Sequence, residues 1–286
     1  MVPRRKPRSR FRLPGEVIIM GYLFRFFLIN SIRCRRTQWL AFLGLLPVMF
    51  AGLILLLKPV LLEHGTDAAS LFPEVSVLLY IHFLLPLAAI FNGTAVISSE
   101  VEDGTLPYLL TRPLPRRTIV LSKLLAGAAV TAVILTLSIA LTYSVMKLGS
   151  GIGGLITGAG DYLGMVCILC LGLAAYMPLF SFTGGVLNRP VLAGLIFAFG
   201  WEPAISLIPA NIRYLSISHY LHLLYSSLFG DSSIGKSAGE AILSIFYRPE
   251  EIPAYYAILI LILISATFTF LSASLLRVRE YRLDKE

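Results

Sequence analysis

Long apolar runs separated by short polar stretches dominate the chain, and six of these runs reach the roughly 18 residues that a bilayer crossing requires. They predict transmembrane helices at Trp39–Leu57, Val75–Ile97, Ile119–Met146, Tyr162–Leu187, Pro190–Pro209 and Ala254–Leu276. The fifth run is interrupted by Gly200, Trp201, Glu202 and Pro203. A broken helix at membrane depth is tolerated only where protein or a water-filled cavity covers it. We therefore expect a bent or re-entrant segment there.

The stretch before the first run has a different pattern. Within residues 14–36, Glu16, Arg25 and Arg33 can turn toward water while the other face is apolar. This pattern predicts an amphipathic helix that lies in the membrane interface, with a short seventh span as the alternative. Residues 1–13 are too basic and too poor in apolar residues to fold alone, so they are predicted to form a disordered tail.

Composition indicates an integral membrane protein. Hydrophobic residues make up 57% and charged residues 14%, whereas a soluble domain carries about 25% charged residues. Most of the 24 Lys and Arg residues lie before the first run, between the second and third runs, or after the last run. Because short loops rich in Lys and Arg stay on the cytoplasmic side, both termini are predicted to be cytoplasmic. The membrane is predicted to be the cell (cytoplasmic or inner) membrane. Residues 281–286 are then a cytoplasmic tail.

The net charge of +8 follows from this topological bias and favours contact with anionic lipid headgroups. Nucleic acid is not predicted as a partner, because the basic residues have no folded soluble domain on which to sit.

The polar segment Ser98–Lys123 between the second and third runs is the most distinctive stretch. Asp103 or Thr105 can cap a helix N-terminus, and Pro113 and Pro115 end that helix within about two turns. The product is a short helix with an apolar surface at Leu106–Leu110, carboxylates at one end and arginines at the other. This is typical of a docking surface for a soluble partner. The alternative is a loop that rests on lipid headgroups.

Three polar residues interrupt the apolar runs and are candidates for a polar path: His82, Asn92 and Glu202. Hydrocarbon penalises such groups, so they should face other helices or the path itself. For His82 a structural hydrogen bond is favoured over a substrate contact. His219 and His222 are spaced as metal ligands can be, but no third ligand is in register, and no metal site is predicted.

The tyrosine-rich stretch around these two histidines, residues 214–225, predicts an interfacial helix on the outer side. Downstream, Gly230–Ser237 matches the phosphate-binding pattern G-x-x-x-x-G-K-[ST] letter for letter. That loop needs a buried strand before it and a parallel sheet around it, whereas a helix precedes it here. We interpret the match as coincidence and predict no ATPase, no catalytic residue and no cofactor in this chain.

Ser98–Lys123 resembles a known signature. Its matching residues are Glu100, Gly104, Thr105, Leu106, Leu109, Leu110, Pro113, Arg116 and Lys123. They resemble the segment between the second and third spans of type-2 ABC transporter permeases. Six spans, an amphipathic N-terminal helix and a broken segment before the last span extend the resemblance over nearly the whole chain. The fold class expected is an all-α integral membrane protein with a single permease domain at residues 14–280.

The resemblance implies a permease dimer, formed with an identical or related chain and bound to two copies of a soluble ATPase that holds ATP and Mg²⁺. The short helix would be the coupling helix that transmits ATP-driven closure to the spans and exports a substrate. Its residues would be Glu100, Asp103, Gly104, Thr105, Leu106, Leu109, Leu110, Arg112, Pro113 and Arg116. The path would run between protomers near the first, second and fifth spans, with His82, Asn92 and Glu202 as lining candidates.

Two other classes stay open at this point. An intramembrane enzyme would draw on His82, Asp161, Glu202, His219 and His222, but their spacing matches no triad, metal cluster or carboxylate pair. A secondary transporter driven by an ion gradient is disfavoured because the sequence offers few buried ionisable groups and no evident pair of broken helices.

Overall fold

The computed structural model describes residues 16–57, 72–102, 116–147, 158–207, 214–229 and 253–278. Regular structure in these ranges is helical, without strands. The elements are α1 (Glu16–Arg33), α2 (Arg35–Leu43), α3 (Leu45–Leu56), α4 (Phe72–Ser76), π1 (Val77–Leu84), α5 (Leu85–Glu102), α6 (Arg116–Lys147), α7 (Ala159–Val186), α8 (Pro190–Leu195), π2 (Ile196–Trp201), α9 (Glu202–Leu207), α10 (Ile217–Phe229) and α11 (Ala254–Val278). The predicted all-α membrane fold is confirmed.

Helices long and apolar enough to cross a membrane occur at five places in the described ranges. They are Arg35–Leu56, Val77–Ser99, Arg117–Lys147, Ala159–Val186 and Ala254–Leu275. The fifth predicted span corresponds to a shorter apolar helix, Pro190–Ile205. The backbone stays helical where the sequence suggested a break. The π-helical segment π2 widens the helix just before Pro203, and α9 continues from Glu202. The count of six spans stays a prediction.

The bundle centres on α5 and α7, which approach each other closely through glycines. A Cβ added at Gly184 would lie 2.4 Å from the carbonyl oxygen of Thr94, and one added at Gly93 would lie 3.0 Å from the carbonyl oxygen of Met177. Small residues are needed wherever membrane helices pack backbone to backbone. The two glycines therefore set the distance between these spans.

A buried polar network joins the first three spans. The Tyr80 hydroxyl lies 2.8 Å from both Ser138 Oγ and Thr142 Oγ1, and Ser138 Oγ donates to the Gly44 carbonyl oxygen at 2.5 Å. Gly44 separates α2 from α3. Unsatisfied polar groups are costly in hydrocarbon, so this network fixes how the three spans pack.

The N-terminal helix α1 is attached to the bundle at the start of α6. Phe27 is buried in a cluster with Ile119 and Ala126, whereas Tyr22 is 73% and Phe26 65% exposed. Because apolar side chains occupy both faces, α1 is not divided cleanly into an apolar and a polar side. Its interfacial position stays a prediction.

Helix α10 differs from what the tyrosine-rich pattern predicted. Every residue from Ile217 to Tyr225 is buried, and the helix packs against α7, α11 and π1. A helix lying in an interface would keep one face exposed. The prediction of an interfacial helix is therefore wrong for Ile217–Tyr225, since tertiary contacts enclose this part of α10. The last turn is partly exposed, with Leu228 57% exposed.

Candidate functional site

The two π-helical segments, π1 and π2, both end just before a proline. π1 ends at Leu84 and π2 ends at Trp201, each two residues before a proline, Pro86 or Pro203. Proline has no N–H to donate, so the carbonyl four residues earlier loses its α-helical partner and the turn can widen. π-helical turns occur frequently at functional sites. The sequence offered no evident pair of broken helices, but the structure contains a related pair of distorted ones.

A cavity of about 360 Å³ lies between these segments. Most of its wall is apolar, and the two phenylalanine rings that line it have centroids 5.9 Å apart. Three lining residues carry polar side chains: His82, Glu202 and Ser218. The remaining lining residues are Leu78, Leu79, Ile81, Phe83, Pro86, Ala198, Phe199 and Pro203. The site thus combines a largely hydrophobic surface with a few fixed polar groups, as ligand sites commonly do.

Glu202 is held at the cavity wall by three donors. The Tyr176 hydroxyl of α7 donates to its Oε2, the Ile217 N–H donates to its Oε1 at 3.2 Å, and the Ser218 backbone is a further partner. Its side chain is only 3% exposed. Ile217 begins α10, so the carboxylate also caps that helix, where the helix dipole favours a negative group.

A second buried contact attaches α10 to π1. His82 Nε2 lies 2.8 Å from His222 Nε2, and the ring centroids are 4.6 Å apart. One nitrogen must donate and the other accept, so the bond requires one ring unprotonated at that atom. His222 lies on α10, outside the five spans; burial lowers the pKa of His222 well below its ordinary value, and repulsion from His82 and His219 adds to that.

The structure separates the three predicted path residues. His82 and Glu202 line one cavity, and His82 also makes the structural hydrogen bond that was favoured for it. Asn92 does not line this cavity. Its Nδ2 donates to Thr131 Oγ1 of α6 at 2.7 Å. In the part of the chain that the structure describes, no group of three or more His, Cys, Asp or Glu residues could hold a metal ion.

Sequence reasoning missed the partners of these residues. It did not connect His222 with His82, and Tyr176 and Ser218 were not singled out at all. One signal was present: Pro86 follows His82 by four residues and Pro203 follows Glu202 directly. A proline close to an ionisable residue inside an apolar run marks a distorted turn that can expose a cavity.

The predicted coupling segment lies mostly outside the described residues. Residues 103–115, and with them Asp103, Gly104, Thr105, Leu106, Leu109, Leu110, Arg112 and Pro113, fall in that part of the chain. Glu100 belongs to the last turn of α5, and Arg116 is the first residue of α6. The stretch that resembles a phosphate-binding loop, residues 230–237, also lies outside.

The helical bundle and its enclosed polar groups define an all-α integral membrane protein. A family model described as ABC-2 family transporter protein matches residues 28–277, most of the chain. The chain therefore belongs to this family and is a type-2 ABC transporter permease. No curated protein matches the chain.

Proposed function

We propose that the chain is the membrane subunit of an ATP-driven exporter and works with a separate soluble ATPase. The observation that carries the proposal is the ABC-2 transporter match over residues 28–277. Family membership supports a permease powered by ATP hydrolysis in a partner over a secondary transporter or an intramembrane enzyme. In this proposal two ATPase copies bind ATP and Mg²⁺, and a second permease chain, identical or related, completes the path.

The helices on either side of the predicted coupling segment support its role. α5 ends at Glu102 and α6 begins at Arg116, and the two are tied together near these ends, where Lys123 Nζ donates to Ser99 Oγ at 2.8 Å. Deeper in the bundle the bond between Asn92 and Thr131 joins them again. A displacement of residues 103–115 would therefore move both spans together as a packed unit.

Within this proposal the coupling residues keep the roles that the sequence suggested. Leucines supply apolar anchor surface for a groove on the ATPase, glycine permits a sharp turn, and the charged residues orient the segment. The proposed set is Glu100, Asp103, Gly104, Thr105, Leu106, Leu109, Leu110, Arg112, Pro113 and Arg116.

The proposed orientation places both termini on the cytoplasmic side of the cell membrane. The Arg117 guanidinium carbon lies 5.6 Å from the ring centroid of Phe270, so the first turn of α6 is beside the second half of α11. The chain after α11 carries Arg279 and Arg282, which favours the cytoplasm for this end of the bundle. A protease-sensitive tag at either terminus should be cleaved in inverted vesicles and protected in right-side-out vesicles.

The substrate path is proposed to include the cavity between π1 and π2. His82 and Glu202 line it, and they belong to the second and fifth predicted spans. Asn92 remains a predicted lining residue without a place in this cavity.

The decisive experiment is purification of the chain together with any soluble ATPase that binds to it. The double variant Leu109→Asp, Leu110→Asp should release that ATPase, because two carboxylates cannot be buried in an apolar groove without large cost. The matched control is Leu61→Asp, Leu62→Asp, which makes the same change in the predicted outer loop and should leave the complex intact. An ATPase that stays bound to the first variant, or that is released equally by the second, contradicts the proposal.

A further inference from the structure

The cavity between π1 and π2 carries a carboxyl group in an apolar wall. The Glu202 carboxylate receives the Tyr176 hydroxyl and the Ile217 N–H, and the backbone of Ser218 adds a third bond. Hydrogen-bond donors favour the ionised form of a carboxyl group, which only accepts hydrogen bonds, whereas burial favours the protonated form. Because Glu202 also lines the cavity, a cationic ligand there would lie next to this buried carboxyl group and would favour its ionised form.

Two aromatic rings complete the chemistry of the site. Phe83 and Phe199 both line the cavity, and their rings are tilted by 54° with centroids 5.9 Å apart. The faces of aromatic rings attract cations, most strongly where water is excluded, and quaternary ammonium groups are recognised in this way. A carboxyl group that can ionise beside a cation and two rings around one apolar space form a combination suited to a positively charged organic group.

Small inorganic cations fit this site less well. Hard metal ions need about six oxygen ligands, and the described lining offers one carboxylate and one hydroxyl, from Glu202 and Ser218. A transition metal could use histidine, but His82 Nε2 is bonded to His222. Anionic ligands would be repelled by Glu202. The volume of about 360 Å³ lies at the lower end of the usual range for small organic ligands.

We propose that this cavity binds a lipophilic organic cation, an amine or quaternary ammonium with an apolar body. Glu202 supplies the counter-charge, Phe83 and Phe199 contact the charged head, and the aliphatic wall accommodates the body. The further assignment of this cation as transported cargo rests on the proposed function.

The proposal is tested by calorimetric titration of the full-length chain, purified in detergent without its ATPase, after subtraction of heats from empty micelles. The probe is phenyltrimethylammonium, and its uncharged counterpart of the same shape is tert-butylbenzene. The cation should bind at least about tenfold more tightly than the neutral molecule, because only the cation gains from the carboxylate and the rings. Equal affinity for both, or no binding of the cation, overturns the proposal.

Three variants locate the binding. Glu202→Gln should weaken cation binding about tenfold and leave tert-butylbenzene unaffected, since charge is removed while shape is kept. Phe199→Leu should weaken cation binding about threefold to tenfold without disturbing the α10 cap. Phe197→Leu is the matched control in the same π-helical segment, because Phe197 does not line the cavity. Its ring packs edge-on against Phe180, with ring centroids 6.2 Å apart. Should Glu202→Gln fail to fold, the two phenylalanine variants still decide the matter.

Failure of this inference and failure of the proposed function give different results. A chain that binds the cation through Glu202 and Phe199 but never associates with an ATPase keeps the site and loses the exporter proposal. A chain that associates with an ATPase but binds the cation equally well in wild type, Glu202→Gln and Phe199→Leu keeps the exporter proposal and overturns this assignment.

Discussion

Two halves of the second span, Val77–Ser99, are packed in opposite ways. In one half Gly93 is tightly packed against Met177 and Phe180 of α7. In the other half π1 widens the helix and faces a cavity. The same span therefore packs backbone to backbone against α7 at one level and lines a cavity at another.

This difference indicates that one level of the bundle contributes mainly to stability and another offers space for a ligand. Lipid tails are as apolar as side chains, so membrane helices associate through close packing and hydrogen bonds rather than through exclusion of water. The glycine contacts provide close packing in one half. At the level of the cavity, Glu202 bonds the start of α10 and His82 bonds His222, so these hydrogen bonds attach α10 to α9 and π1. The Tyr176 hydroxyl attaches Glu202 in turn to α7.

The largest expected effect on stability comes from adding a methyl group at the close contact between α5 and α7. Gly184→Ala would place a Cβ 2.4 Å from the Thr94 carbonyl oxygen, and because backbone cannot move aside cheaply, we expect a loss of about 3 kcal/mol or more in unfolding free energy. SDS titration in mixed micelles measures it. The control is Gly160→Ala on the same helix, where nothing lies within 4 Å of the added Cβ. Equal stability of the two variants would mean that the glycine contact does not hold the spans together.

The next prediction compares the unfolding free energy lost when a tyrosine hydroxyl is removed from a charged acceptor and from a neutral one. Tyr176→Phe removes a donor from the Glu202 carboxylate, and Tyr220→Phe removes the same hydroxyl from its single hydrogen bond to the Tyr214 carbonyl oxygen. Hydrogen bonds to charged groups contribute about 1.5–3 kcal/mol and neutral ones about 0.5–1.5 kcal/mol. Tyr176→Phe should therefore be the more destabilising in the same SDS titration, and the reverse order would argue against an ionised Glu202.

A smaller effect is expected for the histidine pair. A double-mutant cycle of His82→Phe and His222→Phe should give a coupling energy of about 1 kcal/mol, in the range found for hydrogen bonds between membrane helices. The control cycle combines His82→Phe with the distant Gly160→Ala, whose effects should add. Additivity in the histidine cycle itself would show that the 2.8 Å contact does not stabilise α10.

The smallest effect on stability is expected at the proline that follows π2. Pro203→Ala restores an N–H that can bond the Phe199 carbonyl, so we expect a stability change below about 1 kcal/mol but weaker binding of phenyltrimethylammonium as the turn tightens toward α-helix. Pro178→Ala is the control, since Pro178 lies inside α7 with no π-helical turn. Unchanged cation binding in Pro203→Ala would show that tertiary contacts alone maintain the cavity.

The candidate site could be predicted only in part. His82 and Glu202 stood out because ionisable groups are rare in apolar runs. Their partners did not stand out, since His222 is 140 residues from His82 along the chain and Tyr176 is one of 13 tyrosines. Nothing in the local pattern connects such residues, because contacts between helices depend on packing.

The sequence by itself determined the membrane class, the helical fold and the family, because the length of an apolar run and a local charge bias are properties of neighbouring residues. Tertiary structure decided that α10 is enclosed, that Gly184 meets Thr94, and that Glu202 and His82 face one cavity. Hydrogen bonds and steric contacts change within an ångström of separation, and such distances are set only when the helices pack.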